Sequence, residues 1–234
     1  MVHIPENKDK DQNAKITPTM PIKIPELEGY FGGKGGSGVY QNIINLIPPH
    51  KRFAVPFLGH CGITRNILPA TTTLVNDIDP AVIRHWTDYY NSNPFGRNKN
   101  GTLDDMWFHN LHWEVFLTYY KFDQSDSFIY WDPPYPKKTR KSNHQYTFEM
   151  TDDDHVTLLS RLLGFKKAMQ AISTYDNPLY QEMLGGAGWN KKSFQARTRQ
   201  GVATETVYFN YPPLHGCTTT NISVTTIKRG NISN

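Results

Sequence analysis

Hydrophobic and polar residues alternate with two different periods along most of the chain. Short runs rich in β-branched and aromatic residues predict strands, and longer stretches with an apolar residue every three or four positions predict helices. The predicted strands are residues 52–57, 72–77, 127–132 and 166–174. The predicted helices are residues 37–47, 80–91, 102–120 and 151–163.

The order of these elements predicts an α/β fold. Strands that alternate with helices form βαβ units, which give a mostly parallel sheet with helices on both faces. The last part of the pattern differs, because residues 193–201 and 205–213 have the composition of a late antiparallel β-hairpin. A sheet of this kind binds its ligands at the carboxyl ends of its strands.

Composition limits the number of domains. The 234 residues are 38% hydrophobic and 13% aromatic, which is typical of a globular chain. Residues 1–20 are polar and lack periodicity, so we predict a disordered arm there. We predict that residues 21–234 form a single domain. The formal charge of +4 is compatible with a polyanionic partner if the cations are clustered.

Cysteine content and targeting signals indicate the compartment. Cys61 and Cys217 are the only cysteines, too few for a disulfide framework, so we expect a reducing cytoplasm. The sequence has no signal-peptide pattern and no run of about 20 apolar residues, so we expect no membrane partner. His60 and Cys61 lack further ligands at metal-site spacing, so we assign no metal.

Two glycine-rich stretches are candidate ligand loops. "YFGGKGGSG" at residues 30–38 surrounds Lys34 with glycines, which suits binding of a carboxylate or phosphate but also suits a flexible linker. "AVPFLGHCGITRN" places Gly59 and Gly62 between a strand and a helix, where a ligand can approach the backbone closely. An ordinary tight turn is the alternative for this second stretch.

Two acids follow predicted strands. Asp77 in "LVNDIDP" is at the end of a predicted strand, where a carboxylate can accept hydrogen bonds from both hydroxyls of a ribose. Asp79 is better placed to begin a helix. Asp132 in "SFIYWDPPY" precedes Pro133 and Pro134, which lack N–H donors and leave a rigid corner of acceptors. That corner complements an amine with two N–H donors, although a surface turn has the same composition.

These motifs together resemble a known family. "DPPY" at residues 132–135 resembles the amine-binding motif of DNA amino-methyltransferases. The order "FGGKGG", "PFLGHCG", "NDID", "DPPY" is similar to that of the Dam-type, alpha-class adenine-N6 methyltransferases. "AISTYDN" at 171–177 and "TETVYFNY" at 204–211 are similar to later strands of that family, so the resemblance covers residues 28–211.

The resemblance implies a Rossmann-like methyltransferase fold, S-adenosylmethionine as the methyl donor and duplex or single-stranded DNA as the partner. The methyl group would pass directly to the N6 amine of an adenine flipped out of the helix. Asp132 and the Pro133 carbonyl would accept from the amine, and Tyr135 would stack on the base. The implied catalytic residues are Asp132, Pro133, Pro134 and Tyr135. The implied cofactor-binding residues are Tyr30, Gly32, Gly33, Lys34, Phe57, Gly59, Asp77, Ile78 and Asp132.

The sequence departs from the family pattern at two places. Val55 precedes "PF" where the family usually has an acid, and the target-recognition insertion, predicted around residues 90–125, is short. Two alternatives therefore stand beside DNA methylation: adenine-N6 methylation of RNA, and a catalytically silent DNA-binding protein. The resemblance places the protein in the cytoplasm of a prokaryotic or phage-infected cell.

Cations cluster after the DPPY motif and near the predicted hairpin. Lysine and arginine beside a catalytic corner neutralise phosphates, although each cluster would equally suit a solvated loop. The predicted nucleic-acid-binding residues are Lys137, Lys138, Arg140, Lys141, Lys191, Lys192 and Arg197.

Overall fold

The computed structural model describes residues 38–68, 70–92, 106–140, 146–198 and 201–213. Within these ranges the strands are β1 Arg52–Val55, β2 Thr72–Asn76, β3 Met106–His109, β4 Ser127–Trp131, β5 Met169–Tyr175, β6 Asn190–Thr198 and β7 Gly201–Phe209. The helices are α1 Val39–Ile44, α2 Gly62–Asn66, α3 Pro80–Ser92, α4 Trp113–Tyr119, α5 Asp152–Gly164 and α6 Pro178–Tyr180. A 3₁₀ turn covers Lys137–Thr139, and a π-helical turn, Gln181–Gly185, follows α6.

The seven strands form one sheet in the order β3-β2-β1-β4-β5-β7-β6. The first five are parallel to their neighbours, while β7 is antiparallel to both β5 and β6. From β1 the chain moves outward in one direction through β2 and β3, and then in the other direction through β4 and β5. This confirms the predicted Rossmann-like α/β fold with its late antiparallel hairpin, and it places a topological switch point between β1 and β4.

Helices cover both faces of this sheet, as predicted. Phe53 and Val55 of β1 pack with α1 and α3 on one face, whereas Ala54 packs with α4 and α5 on the other. The central strand β4 is buried along its whole length, which explains its continuous apolar sequence. The sheet is therefore a two-sided core, and ligand access is through the loops at the ends of its strands.

The helix predicted over residues 102–120 is wrong. Residues 106–109 form β3, which pairs in parallel with β2, and only Trp113–Tyr119 is helical; residues 102–105 lie outside the described ranges. On one side of this edge strand Met106 and Phe108 pack against the core, while on the other side Trp107 is exposed and His109 is half-buried against Phe116 of α4. An aromatic edge strand followed by a short helix has apolar spacing that a single helix also satisfies.

The start of α5 is confirmed in detail. Thr151 Oγ1 accepts a hydrogen bond from the Asp154 backbone N–H at 3.2 Å, and Asp154 Oδ2 accepts one from the Thr151 N–H at 2.8 Å. This capping box satisfies two of the donors that a helix N-terminus leaves unpaired. It also fixes where α5 begins, beside the cavity described below.

Several predictions fall wholly or partly outside the described residues. These are the arm at 1–20, the glycine-rich loop at 30–37 and Lys141. Residues 106–119 of the insertion predicted at 90–125 belong to β3 and α4 of the sheet and its helical layer. The single domain over 21–234 and a target-recognition role for the rest of the insertion stay predictions. In the described part of the chain, none of the helices has the length and apolar character that crossing a membrane requires.

Candidate active site

The loops that follow β1, β2 and β4 meet at one edge of the sheet, around a cavity of about 370 Å³. Predicted residues from all three loops line it: Phe57, Gly59, Asp77, Ile78, Asp132, Pro133 and Pro134. The motifs lie far apart in sequence and come together because parallel strands end at a common edge. The described residues of the predicted site therefore lie around one cavity, and their roles stay predictions.

The turn after β1 is held close to the end of β2. Gly59 has φ +43°, a left-handed conformation that favours glycine. Its N–H donates to Asp77 Oδ2 at 2.7 Å, and its carbonyl accepts from Trp86 Nε1 at 2.9 Å. A side chain here would strain the turn, so Gly59 is required for the backbone path and not merely for flexibility.

Asp77 is the most constrained acid of the site. Besides the Gly59 bond, its Oδ1 accepts from the Asp79 N–H at 2.8 Å, and the residue is 7% exposed. Burial raises the pKa of Asp77 to about 6, because removal from water disfavours the carboxylate, and these hydrogen bonds oppose the shift only in part. The carboxylate is therefore charged at neutral pH and loses its charge in mildly acidic solution.

Asp132 extends directly from the buried end of β4. Its side chain is half-buried and lines the cavity with Pro133, which is buried, and Pro134, which is half-buried. Neither proline has an N–H, and their rings fix two backbone φ angles, so the carboxylate stands on a stiff support. The corner offers hydrogen-bond acceptors to the cavity, as its sequence predicts.

Tyr135 occupies a different place from the one its predicted stacking role requires. Its residue exposure is 4%, its hydroxyl donates to Glu205 Oε1 on β7, and its ring lies edge-to-face with Tyr175 at 4.8 Å. Burial and the Glu205 charge hold the pKa of Tyr135 well above its usual value, so the hydroxyl remains a donor. The ring is therefore packed inside the protein against Tyr175. Stacking on a base stays a prediction that needs the ring to leave this position.

We expect the substitution Tyr135→Phe to lower the free energy of unfolding by about 1–3 kcal/mol, because it removes a hydrogen-bond donor from a buried carboxylate. Urea denaturation would measure the change. Tyr119→Phe is the matched control, since that side chain is 65% exposed and should lose nothing. Equal stability of Tyr135→Phe and the wild type would contradict the Glu205 contact.

A segment that the sequence did not mark also lines the cavity. Residues 146–150 cross one side of it, held by Arg140, whose guanidinium binds Glu149 through two hydrogen bonds of 2.6 and 3.1 Å. Arg140 also lies 5.0 Å from the centre of the Tyr146 ring. Burial alone would raise the pKa of Glu149, but the Arg140 hydrogen bonds and charge lower it, so the pair is ionic at neutral pH.

Other lining residues come from the loop after β3. Leu111, His112 and Trp113 reach the cavity because the Asn76 side chain bonds the backbone of Leu111, with Oδ1 accepting at 3.1 Å and Nδ2 donating at 3.0 Å. Asn76 Nδ2 also donates to the Pro56 carbonyl at 3.0 Å. In the sequence, only Asn76, directly before Asp77, indicates a loop here. The loop was missed because residues 110–112 fell inside the helix that was wrongly predicted over 102–120.

His60 and Cys61 are both buried in the turn that leads into α2. Cys61 is the N-cap of α2, its Sγ accepts from the Thr64 N–H at 3.4 Å, and burial raises the pKa of its thiol. His60 lines the cavity but is 5% exposed. Across the described ranges no three His, Cys, Asp or Glu side chains converge as metal ligands would.

The predicted nucleic-acid-binding cations have unequal surroundings. Lys138 binds Asp152 and Lys191 binds Asp176, each at 2.7 Å. Arg140 forms an ion pair with Glu149, so a phosphate would have to displace the Glu149 carboxylate from the guanidinium. Lys137 is exposed and Lys192 half-buried, while Arg197 lies in β6. Contact of any of them with nucleic acid stays a prediction.

The fold and the cavity define a Rossmann-like α/β protein with a cavity at the switch point of its sheet. Neither the scan against protein-family models nor the search of curated proteins finds a match.

Solved structures give distant likenesses. An rRNA methylase from Streptococcus thermophilus is 6% identical, with 73% of this chain and 93% of that chain covered and a TM-score of 0.46. P. horikoshii TYW2 in complex with MeSAdo is 10% identical, with 80% and 68% covered and a TM-score of 0.47. The METTL16 methyltransferase domain is 8% identical, with 74% and 65% covered and a TM-score of 0.45. Likenesses this distant do not bear on the activity of this chain.

Proposed function

We propose that this protein transfers a methyl group from S-adenosylmethionine to the N6 amine of adenine in DNA. The observation that carries the proposal is the convergence of the acceptor corner at Asp132 with Asp77 and the Gly59 turn in one cavity. One group of residues suits a nucleoside cofactor and the other suits an amine, so a donor and an acceptor can be held side by side.

The cavity suits S-adenosylmethionine in size and chemistry. Its volume of about 370 Å³ is within the range of small-molecule sites. Asp77 would accept the ribose hydroxyls, each carboxylate oxygen having a lone pair beyond its backbone contact, while Phe57 and Ile78 would contact the adenine and ribose. When bound, the cofactor supplies an electrophilic methyl group on a sulfonium sulfur.

Asp132 would make the target amine reactive. The lone pair of an aromatic amine is delocalised into its ring, so the amine is a poor nucleophile. Acceptors on both N–H bonds, from the Asp132 carboxylate and the Pro133 carbonyl, favour a lone pair localised on nitrogen and stabilise the positive charge that develops there. Such an amine is paired inside a duplex, so the adenine must be flipped out, which costs a few kcal/mol.

DNA is proposed as the substrate from the motif order and from the position of the cations. Lys137 and Lys138 follow the acceptor corner by a few residues and are exposed beside it, where they would contact the phosphates that flank a flipped base. Methylation of RNA is the nearest alternative, because the same cavity and cations would serve an unpaired RNA base. A silent DNA-binding protein would share the fold but not the chemistry.

One experiment separates these functions. The protein is incubated with methyl-labelled S-adenosylmethionine and either duplex DNA, single-stranded DNA or RNA, and the labelled base is then identified. Label on N6-methyladenine in DNA is the expected result. Label in RNA alone would support the RNA alternative. Cofactor binding without label in any nucleic acid would support the silent protein.

The contribution of phosphate contacts has its own prediction. Substitution of Lys137 and Lys138 by alanine should reduce the slope of log affinity against log salt by about 0.9 for each lysine that contacts a DNA phosphate. Binding of a labelled duplex at several salt concentrations measures the slope. Lys166→Ala with Lys167→Ala is the control, because these exposed lysines precede β5 at the opposite edge of the sheet. An unchanged slope in the first variant would refute the phosphate role.

A further inference from the structure

The β6–β7 hairpin is longer than the strand to which it is attached. β7 pairs with β5 only over Glu205–Phe209, where Glu205 stands opposite Tyr175 at the end of β5. The pairing of β6 with β7 continues for four more residue pairs, from Gln195↔Thr204 to Thr198↔Gly201. At roughly 3.4 Å per residue the hairpin extends about 13 Å beyond the parallel sheet.

This extension projects from the same edge as Asp132. β4 and β5 are parallel, with Trp131 opposite Ile172, so Asp132 and the end of β5 lie on one side of the sheet. Neighbouring strands are roughly 4.8 Å apart, which places β7 about 10 Å and β6 about 14 Å from β4. The hairpin therefore lies beside the acceptor corner, two to three strands away in the sheet.

One face of the hairpin presents short polar side chains. Gln195 Nε2 donates to Thr204 Oγ1 at 3.2 Å, and Ser193 Oγ and Thr206 Oγ1 are hydrogen-bonded at 3.0 Å. Gln195, Thr204 and Ser193 are exposed, and Val202, two residues beyond Thr204 toward the tip, is 55% exposed. Amide, hydroxyl and small apolar groups are the side chains that contact base edges and the thymine methyl group.

The charge of the hairpin is complementary to phosphate. Residues 190–209 contain one acid, Glu205, and four cationic residues, of which Lys191 is paired with Asp176. Glu205 is 3% exposed and accepts a hydrogen bond from Tyr135, so it lies inside the protein and not on the exposed face. The exposed face is thus polar, and the segment as a whole is cationic, as expected of a surface that meets a polyanion.

We infer that the β6–β7 hairpin enters the major groove of duplex DNA and reads base pairs about four to five steps from the target adenine. The major groove of B-form DNA is about 12 Å wide and admits a two-stranded ribbon, whereas that of A-form RNA is too deep and narrow. Thr204 and Gln195 lie three residues, or about 10 Å, nearer the tip than the level of Asp132, which together with the strand spacing gives a distance of about 14–18 Å, or about four to five steps of 3.4 Å. The assignment of the read positions rests on the proposed function, because a flipped base at Asp132 sets the register.

The first test is a photocrosslink that does not depend on activity. A benzophenone is attached to Val202→Cys in a Cys217→Ser background, with Cys61 left in place because it is buried. The matched control carries the label at Lys167→Cys, which is exposed at the opposite edge of the sheet. The probes are a pool of 30-base-pair DNA duplexes of random sequence and the corresponding RNA duplexes. We expect at least tenfold more DNA crosslinking from position 202 than from position 167, and no such excess with RNA.

The second test measures readout. The pool is methylated by the wild type and by the double variant Gln195→Ala with Thr204→Ala, and the methylated duplexes are sequenced. We expect the variant to lose preference at positions about four to five steps from the modified adenine by about 5-fold to 150-fold, the loss for one base contact. The exposed Val156→Ala on α5 should preserve the preference.

The outcomes separate this inference from the proposed function. Crosslinking from position 202 without methylation of any nucleic acid would support the hairpin and refute the function. Methylation of DNA with equal crosslinking from positions 202 and 167, or with unchanged preference in the double variant, would refute the hairpin alone. Equal crosslinking of DNA and RNA duplexes from position 202 would also refute it, and absence of both methylation and crosslinking would refute both proposals.

Discussion

Asp132→Ala is expected to reduce methyl transfer at least about 10³-fold, the cost of removing a preorganised group that stabilises a developing charge. The physical reason is the position of the carboxylate, half-buried at the end of β4 and fixed by two prolines. No neighbouring loop can replace an acceptor held this stiffly. Single-turnover transfer of label from S-adenosylmethionine to DNA is the appropriate measurement.

Two controls make the Asp132 result specific. Cofactor affinity should change by less than about threefold, or about 0.7 kcal/mol, because Asp77 and the Gly59 turn lie on other strands. Asp153→Ala removes an exposed acid from the first turn of α5, outside the cavity lining, and should preserve activity. Near-normal turnover of Asp132→Ala would remove the basis for the proposed chemistry.

Affinity for S-adenosylmethionine is expected to be constant above about pH 6 and to fall about tenfold per pH unit below it. Burial raises the pKa of Asp77 to about 6, and only its charged form is a full acceptor for ribose hydroxyls. Titration calorimetry between pH 4.5 and 8, an interval chosen as roughly two units on either side of the pKa, would measure this. Asp77→Asn should bind more weakly and lose the pH dependence, which separates Asp77 from His60 and His112 in the same cavity.

The Asp77 carboxylate should also make the free energy of unfolding depend on pH, and here a higher pH lowers stability whereas it strengthens cofactor binding. The folded-state pKa of Asp77, about 6, is above the 3.8 of an aspartate in the unfolded chain. Its contribution to stability is therefore complete below pH 3.8 and is lost as the pH rises through 6. Near neutral pH the ligand-free protein carries a buried charge that opposes folding. A cofactor that satisfies this charge should stabilise the protein more at pH 7 than at pH 5.

Sequence patterns predicted the elements that carry the site. β1, β2 and β4 were predicted because buried parallel strands have short, continuous apolar sequences, although β1 ends at Val55, before Pro56, and not at residue 57 as predicted. The rule that ligands bind at the carboxyl ends of such strands then placed Gly59, Asp77 and Asp132 together. Local composition was sufficient because these residues are each attached directly to a strand end.

Other features depend on contacts between distant parts of the chain, which one sequence does not show. Tyr135 is buried because Glu205, 70 residues later, accepts its hydrogen bond. Residues 146–150 line the cavity because of an ion pair between Arg140, which was predicted to contact nucleic acid, and Glu149, which belongs to no motif. The residues of β3 predicted a helix because an aromatic edge strand followed by a short helix has apolar spacing that a single helix also satisfies.

Asn76 determines when the loops after β1, β2 and β3 lose their conformational freedom. Its one side chain bonds backbone groups after β1 and after β3, while the residue itself ends β2. Three loops are thereby tied together as the chain folds. Their entropy is lost at that stage and not on ligand binding, so the nucleoside half of the cavity should bind as a rigid template with little induced fit.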